Sequence, residues 1–404
     1  MSKRVSAPKG SMPRVFMMDL WATVPYYTAY LSKALLAQGV PLTVGSISYY
    51  LDPDCFSSRG IQLRPGLMDV VGKLKLPRLP RRIFKMLEAI LNLSALTVRF
   101  LFSPPDVVHV QYLPMLKWRL PLDFWFLEFC RKRGAIIVLT VHDLLPHDTA
   151  EAYRKTFQKL YTMVDGMICH SDHVKARLTE EFSVSAQNVA VIPHGPFFYD
   201  LAVGNEEKTR QDLDISADEV TVLWQGIIFP YKGIDLLLDA WQKVEASGAS
   251  AWLIIAGTGA PELLEKIQDQ IARLGLERVK LQLRFISTEE LVNLYRTADI
   301  VVYPYRAITT SGALATGLAL GKTIVASDLP AFRELLQDGE SALLIDPQNT
   351  GQLAGALTEL IQSPQRREEL AACVRAMNFG DASWISIAQQ TVHAYEDFLT
   401  QAGR

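Results

Sequence analysis

Short, continuous apolar runs, each followed by a stretch with helical periodicity, recur along the chain. In the first half the runs are Arg14–Asp19, Leu42–Ile47, Val107–Gln111, Ile136–Val141, Gly166–His170 and Val189–Ile192, with helical patterns such as Tyr26–Gln38 and Leu122–Arg133 between them. Runs apolar at every position, not at alternate ones, are buried on both faces, which predicts parallel strands covered by helices on either side. The rhythm breaks after Gly195, and residues 199–218 are polar and charged, as a linker would be. It restarts with Val220–Gln225, Ala251–Ala256, Leu281–Ile286, Ile300–Tyr303, Thr323–Ala326 and Ala342–Ile345. Helices are predicted over Asp235–Val244, Pro261–Leu274, Glu289–Arg296 and Leu314–Leu320, and more helix over Gln348–Met377. Amphipathic Ala382–Thr400, after irregular Asn378–Asp381, is a candidate to cross back onto the first domain. The pattern therefore predicts two doubly wound α/β domains, 14–198 and 219–378, joined by 199–218 and completed by a C-terminal helix within 379–404. A ligand is expected where strand C-termini meet across a cleft.

Composition narrows the class. A chain of 404 residues exceeds one ordinary core, and 49% hydrophobic with 21% charged residues describes a folded globular protein. The four cysteines, Cys55, Cys130, Cys169 and Cys373, are scattered without a CxxC pair. That spacing fits neither a disulfide framework nor a zinc ribbon and points to a reducing compartment. Residues 1–13 read as a polar tail without a secretory signal pattern. The longest candidate for a membrane span, Met86–Phe102, is interrupted by Glu88, Asn92, Ser94 and Arg99, so the expected location is cytoplasmic. The net charge of −2 conceals a split: residues 1–198 hold 24 Lys+Arg against 15 Asp+Glu, a balance of +9, and the remainder 17 against 28, a balance of −11. Different partners for the two halves follow from it.

Two turns have the chemistry of an anion site. Gly226-Ile-Ile-Phe-Pro-Tyr-Lys-Gly233 follows a strand and precedes a helix, so backbone N–H groups and Lys232 favour a phosphate there. The spacing is not GxxxxGK[ST], and Gly and Pro also punctuate purely structural βα turns. Tyr303-Pro-Tyr-Arg-Ala-Ile-Thr-Thr-Ser-Gly312 follows another strand. Thr310 and Ser311 can cap the helix that follows; equally, the amides of Ser311, Gly312 and Ala313 can face an anion, with Arg306 near to neutralise it. Gly257-Thr-Gly259 lacks the third glycine of a dinucleotide fingerprint, Glu262 standing in its place, and no glycine turn follows Asp19, so NAD is not expected. Asp212-Leu-Asp214 and Asp52-Pro-Asp54 imitate a metal-binding DxD but fall in polar segments, and His170/His173 or His142/His147 lack a third convergent ligand; no metal is expected. Between Lys73 and Lys85, six basic residues alternate with Leu74, Leu76, Leu79, Ile83 and Phe84. Such a segment either lies on an anionic lipid surface, making the protein peripheral to a membrane, or forms a solvated loop and helix start. No nucleic-acid-binding motif accompanies it.

Taken in order, Val138–Pro146 (VLTVHDLLP), Cys169–Leu178, Val191–Gly195 (VIPHG), Gly226–Gly233 (GIIFPYKG), Leu253–Gly259 (LIIAGTG) and Gly321–Ser327 (GKTIVAS) resemble retaining glycosyltransferases of the GT-B fold, and within them glycosyltransferase family 4. The resemblance covers almost the whole chain. It implies two Rossmann-like domains facing a cleft and transfer of a hexose from a nucleoside-diphosphate sugar, UDP- or GDP-linked, to a glycan or lipid-linked acceptor, without cofactor. By the same resemblance, Lys232 contacts the donor diphosphate beside Gly226, and Ser311 and Gly312 hold its distal phosphate. Ile286 lies where backbone atoms meet the nucleobase, and His142 touches the transferred sugar; from its position alone, the His142–Asp143 pair is equally a turn with a capping acid.

Two positions depart from the family pattern. The arginine expected after the first glycine is Ile227, and the two glutamates expected eight residues apart, which hold the donor's sugar and ribose, fall on Ile308 and Thr316. The sugar and ribose region is thus Ile308, Thr309, Thr310 and Thr316. Lys232, Arg306 and the Ser311–Gly312 amides would stabilise charge developing on the leaving diphosphate. With no carboxylate nucleophile beside them, retention implies same-face attack within an ion pair. Two other readings compete: a GT-B enzyme of another activity, such as a sugar-nucleotide epimerase or phosphorylase, and a degenerate GT-B partner subunit that binds nucleotide or glycan without turnover. The base, sugar, acceptor, linkage and oligomeric state are not written in the sequence.

Overall fold

The computed structural model describes residues 12–63, 68–74, 76–113, 115–116, 120–145, 150–200, 204–377 and 379–403. Two compact units emerge, one containing the chain up to Pro193 together with the segment from Trp384 onward, the other His194–Ser383.

The first unit is built on six parallel strands, β1 (Val15–Asp19), β2 (Leu42–Ser46), β3 (Val107–Tyr112), β4 (Ile136–Thr140), β5 (Gly166–Cys169) and β6 (Val189–Val191), in the order β2-β1-β3-β4-β5-β6. Helices α1 (Pro25–Ala37), α2 (Arg78–Phe102), α3 (Leu122–Lys132), α4 (Ala150–Met163) and α5 (Asp172–Phe182) connect them. Alternation sorts the strand residues into two layers. Phe16, Met18, Val108, Val110, Ile137, Leu139, Met167 and Cys169 join one apolar core. The opposite face carries Met17, His109, Gln111, Val138, Thr140 and Ile168, all buried, three of them polar.

Most of the expected strands appear within a residue or so of their predicted ends. The run Leu281–Ile286 is displaced: the strand is Val279–Gln282, because it pairs only with Leu253–Ala256 and its ladder ends where that partner turns at Gly257. α2 is a larger departure. It runs 25 residues where the sequence had shown a basic segment and an interrupted apolar one. Two of the interruptions turn inward: Glu88 accepts from the amides of Val70 (2.7 Å) and Val71 (3.2 Å), and Asn92 bonds the Met68 backbone through both amide ends (2.6 and 3.0 Å). These side chains satisfy backbone groups at the start of the short 3-10 turn Val71–Lys73 and just before it, which the turn itself leaves without partners. Among the described residues no helix is long and apolar enough to cross a membrane.

The second unit opens with α6 (Glu206–Asp212), a short helix inside the polar segment 199–218, capped by Asn205 accepting from Lys208 N at 2.9 Å. Its strands are β7 (Val220–Gln225), β8 (Ala251–Ala256), β9 (Val279–Gln282), β10 (Ile300–Tyr303), β11 (Thr323–Ser327) and β12 (Leu343–Ile345). The helices are α7 (Ile234–Ala246), α8 (Pro261–Leu274), α9 (Thr288–Thr297), α10 (Gly312–Ala319), α11 (Pro330–Arg333), α12 (Thr350–Gln362) and α13 (Pro364–Ala376). The parallel order β12-β11-β10-β7-β8-β9 reverses direction between β7 and β10, a topological switch point with room for a ligand beyond the strand C-termini. Val222, Trp224, Leu253, Ile255, Ile300 and Val302 fill one layer, and Leu223, Ile254, Ala256, Val301 and Tyr303 the other.

The last helix, α14 (Asp381–Gln401), returns to the first unit. There the Trp384 ring stacks on Tyr30 at 5.6 Å, and the Phe398 ring lies so close to Gly166 that a Cβ would come within 2.2 Å of it. The chain therefore has the expected α/β class: two parallel sheets, each flanked by helices, with the C-terminal helix on the first.

Candidate functional site

The loops after β7 and β10 flank the switch point and are tied together. Arg306 N donates to Tyr231 O at 2.7 Å, and Gly233, at φ 68°, packs so tightly that a Cβ would sit 1.9 Å from Pro304 O. Gly226, at φ 143°, leaves the space occupied by the Lys232 ammonium, which would lie 2.7 Å from any Cβ there. Lys232 is half-buried, with its ammonium 5.6 Å from the centre of the Tyr305 ring. Among the described residues it has no hydrogen bond or ion pair. Burial pushes its pKa down from 10.5 to about 8. An ammonium held in that state gains from any anion that reaches it.

Arg306 is differently placed. It donates to Pro230 O at 2.8 Å and forms a bidentate pair with Asp235 at 2.8 and 2.6 Å, so its charge is already offset locally. Ser311 is the N-cap of α10, its hydroxyl accepting from Leu314 N at 3.1 Å. The next amides, Gly312 and Ala313, belong to the helix's first turn, where no intrahelical acceptor exists. Gly312 is crowded from outside: a Cβ would come within 2.7 Å of the Phe197 ring and 3.2 Å of the His194 ring.

Ile308 packs against the second unit's core, and Thr309 and Thr310 lead into the helix. Thr316 is 1% exposed. Its hydroxyl donates to Gly312 O at 2.8 Å and accepts from Phe197 N at 3.3 Å. Tyr303 and Tyr295 both donate to Ala313 O, at 2.8 and 3.1 Å. Ile286 is buried beside α9 and lines a cavity of about 570 Å³ together with Leu213, Gln282 and Arg284.

In the first unit, His142 follows β4. Its Nε2 lies 3.0 Å from Gln111 Oε1, and its ring meets the Tyr27 ring edge-on at 4.8 Å. His170 sits 5.5 Å away, centre to centre. Its Nδ1 is 3.0 Å from Ile192 O, and burial lowers its pKa to about 4, keeping it neutral at pH 7. Asp143 is exposed. His147 lies outside the described residues, among which no three His, Cys, Asp or Glu side chains converge as a metal site would require. The DxD-like acids are engaged or open to water: Asp52 accepts from Tyr26 OH at 2.9 Å, and Asp214 is fully exposed 3.9 Å from Lys280.

Two pairs of residues escaped sequence reasoning. His194 and Phe197 wall the first turn of α10, and their turn-like setting in VIPHGPFF gave no sign of it. His109 and Gln111 stand behind His142. Their signal was present: two polar residues alternating within a parallel strand buried on both faces must be hydrogen-bonded to something.

Comparison with known proteins gives a consistent picture. Residues 24–195 match the family model described as Glycosyltransferase Family 4, and residues 205–377 match Glycosyl transferases group 1. An uncharacterized glycosyltransferase of Methanocaldococcus jannaschii is 26% identical over 242 residues, 59% of this chain and 61% of that protein, so that match spans less than two thirds of the relative. A D-inositol 3-phosphate glycosyltransferase of Geodermatophilus obscurus is 24% identical over 389 residues, 91% of this chain and 83% of the relative. The Anabaena protein HepE, solved in complex with UDP and glucose, superposes with a TM-score of 0.70 at 18% identity, covering 95% of this chain and 99% of its own.

Proposed function

The chain belongs to the family 4 glycosyltransferases of the GT-B fold, and from that membership we propose that it moves a hexose from a nucleoside-diphosphate sugar to a glycan or lipid-linked acceptor with retention of configuration. The observation that carries the reading is Lys232: a half-buried ammonium without an ion-pair partner among the described residues, beside a topological switch point. In this reading the diphosphate lies against Lys232 and the first-turn amides of α10, which stabilise the charge that builds on it as the glycosidic bond breaks. Arg306 acts through the loop that it and Asp235 brace. Ile286 borders the base, and His142 contacts the transferred sugar. The chemistry needs no metal in this scheme, because the ammonium and the amides supply the positive potential.

The acceptor side is proposed to meet an anionic membrane. Leu79, Ile83, Leu87, Leu91, Val98 and Phe102 form an exposed apolar flank along α2, with Leu79 and Phe102 at 68% and 86% exposure. Lys73 and Arg82 are exposed at its N-terminal end, while Lys75 lies outside the described residues. Co-sedimentation with phosphatidylglycerol vesicles tests this; equal binding to neutral phosphatidylcholine, or none to either, overturns it.

A thermal-shift series with UDP, GDP, ADP and their sugars tests the donor site, UDP being the first probe because the Anabaena fold neighbour holds it. Stabilisation by a diphosphate nucleotide is expected; none from any of them rejects the site. A second reading, a partner subunit that binds without turnover, draws on Ile308 and Thr316 standing where carboxylates were expected. Release of free nucleoside diphosphate on addition of acceptor excludes it.

A further inference from the structure

The buried polar residues behind His142 form one connected chain. His109 and Gln111 are two apart on β3 and share the sheet face that α14 covers. His109 Nδ1 lies 2.6 Å from Tyr395 OH on that helix, and its Nε2 lies 2.7 Å from Thr140 Oγ1 on β4 and 3.1 Å from Gln111 Nε2. Gln111 Nε2 also lies 3.1 Å from Met17 Sδ, and Gln111 Oε1 lies 3.0 Å from His142 Nε2. His109, Gln111, Thr140 and Tyr395 are all buried, so no water is on hand to repair a wrongly directed bond.

The directions then follow from valence. An amide nitrogen only donates. Gln111 Nε2 therefore gives its protons to His109 Nε2 and to the Met17 sulfur, which makes His109 Nε2 a lone pair. Thr140 donates to the same lone pair. Burial pushes the His109 pKa down to about 3, so the ring is neutral and its one proton is on Nδ1, donated to the Tyr395 oxygen. The remaining end of the Gln111 amide is its oxygen. It can only accept, so the His142 nitrogen 3.0 Å away must carry a proton.

We infer that Gln111, oriented by His109, Thr140 and Tyr395, is a positioning residue that keeps a proton on His142 Nε2 and fixes the orientation of the ring. The chemical meaning of the device rests on His142 acting on the sugar; the placement of the Nε2 proton does not. Because Tyr395 lies on α14, the C-terminal helix takes part in setting the protonation state of a side chain 253 positions earlier in the sequence.

The test is nitrogen-15 NMR of the full chain labelled at histidine, with His142 assigned by its loss in His142→Ala. Wild type is expected to show a protonated Nε2 at His142 at pH 7.5. In Gln111→Leu the preference is expected to give way to a mixture. In Gln111→Glu the Nε2 proton should persist to higher pH than in wild type, since a carboxylate now faces the ring. A merely structural Gln111 would not produce opposite spectral changes in these two variants. If Gln111→Leu fails to fold, Tyr395→Phe, which removes only the acceptor for His109, is expected to populate His142 with an unprotonated Nε2. An unprotonated His142 Nε2 in wild type, or an unchanged Nε2 signal in every folded variant, overturns the inference. Wild-type turnover by His142→Ala would instead remove the role of His142 while leaving the NMR result to judge Gln111.

Discussion

Replacing Lys232 by methionine separates a ligand-binding lysine from a structural one, because the two roles predict opposite changes in stability. Methionine keeps the apolar stem and deletes the charge. In the free protein the ammonium has no ion-pair partner among the described residues, and burial takes its pKa from 10.5 to about 8. Holding the charged form there costs roughly 3 kcal/mol, at 1.36 kcal/mol for each pKa unit. Part of that is returned by the Tyr305 ring at 5.6 Å. Lys232→Met should therefore leave the free protein as stable as wild type or more stable, by about 1–3 kcal/mol. Its affinity for UDP should move the other way. A charge-assisted hydrogen bond to a phosphate is worth about 1.5–3 kcal/mol, or about 10- to 150-fold in Kd. Scanning calorimetry of the free protein and isothermal titration with UDP measure the two quantities independently. A variant that melts lower and binds UDP unchanged would refute the assigned role, since Lys232 would then be supporting the fold and not waiting for an anion.

Three further outcomes follow from the same geometry. UDP affinity should fall above about pH 8: the complex raises the Lys232 pKa above its free value of about 8, so binding takes up more protons at pH 8.5 than at pH 7.5, which titrations in buffers of different ionisation enthalpy will show. Gly233→Ala should destabilise by about 2–4 kcal/mol, because alanine is strained at φ 68° and its Cβ meets Pro304 O; a melting point within a degree of wild type would count against the tight packing of the two loops. Thr316→Glu, which restores a family carboxylate, should destabilise by several kcal/mol and not improve turnover, since the side chain would be buried against Gly312 O and Phe197 N; a stable, faster variant would contradict this.

The sheets were legible in the sequence because parallel strands covered on both faces show as unbroken apolar runs, and Val220–Gln225 and Ala251–Ala256 could be bounded to the residue. α2 was legible only as one alternative, a helix start within Lys73–Lys85; its full length was not, because Glu88 and Asn92 break its apolar pattern on the side that faces the protein, and the backbone they satisfy is invisible to periodicity. The phosphate-competent loops were legible as turns between strand and helix. What occupies their surroundings was not: Phe197 reaches Thr316 across 119 positions, and Tyr395 reaches His109 across 286. Long-range polar pairs of that kind leave only a local trace, a polar residue in an apolar run, which names the residue and not its partner.

The departures from the family pattern can be read physically. A carboxylate lost by drift from a packed turn leaves a hole and an unmatched donor. Around the first turn of α10 most polar groups are matched: Thr316 uses its hydroxyl on Gly312 O and Phe197 N, two tyrosine hydroxyls converge on Ala313 O, and Phe197 and His194 close over Gly312, while the buried Tyr305 hydroxyl lacks a hydrogen-bond partner among the described residues. Side chains of the size and polarity to fill the space are present at Tyr295, Tyr303 and Phe197, each satisfied by another. That mutual fit is what a sequence settled on a different arrangement would show, because an unsatisfied buried group costs about 1–3 kcal/mol and is removed by selection. The sugar and ribose of a donor held here would meet aromatic walls and hydroxyls where family relatives offer carboxylates. Donor preference should then depend more on ring shape and stacking than on charge-assisted hydrogen bonds to sugar hydroxyls, and Phe197→Ala, which opens the wall over Gly312, should broaden the range of sugar nucleotides that stabilise the protein.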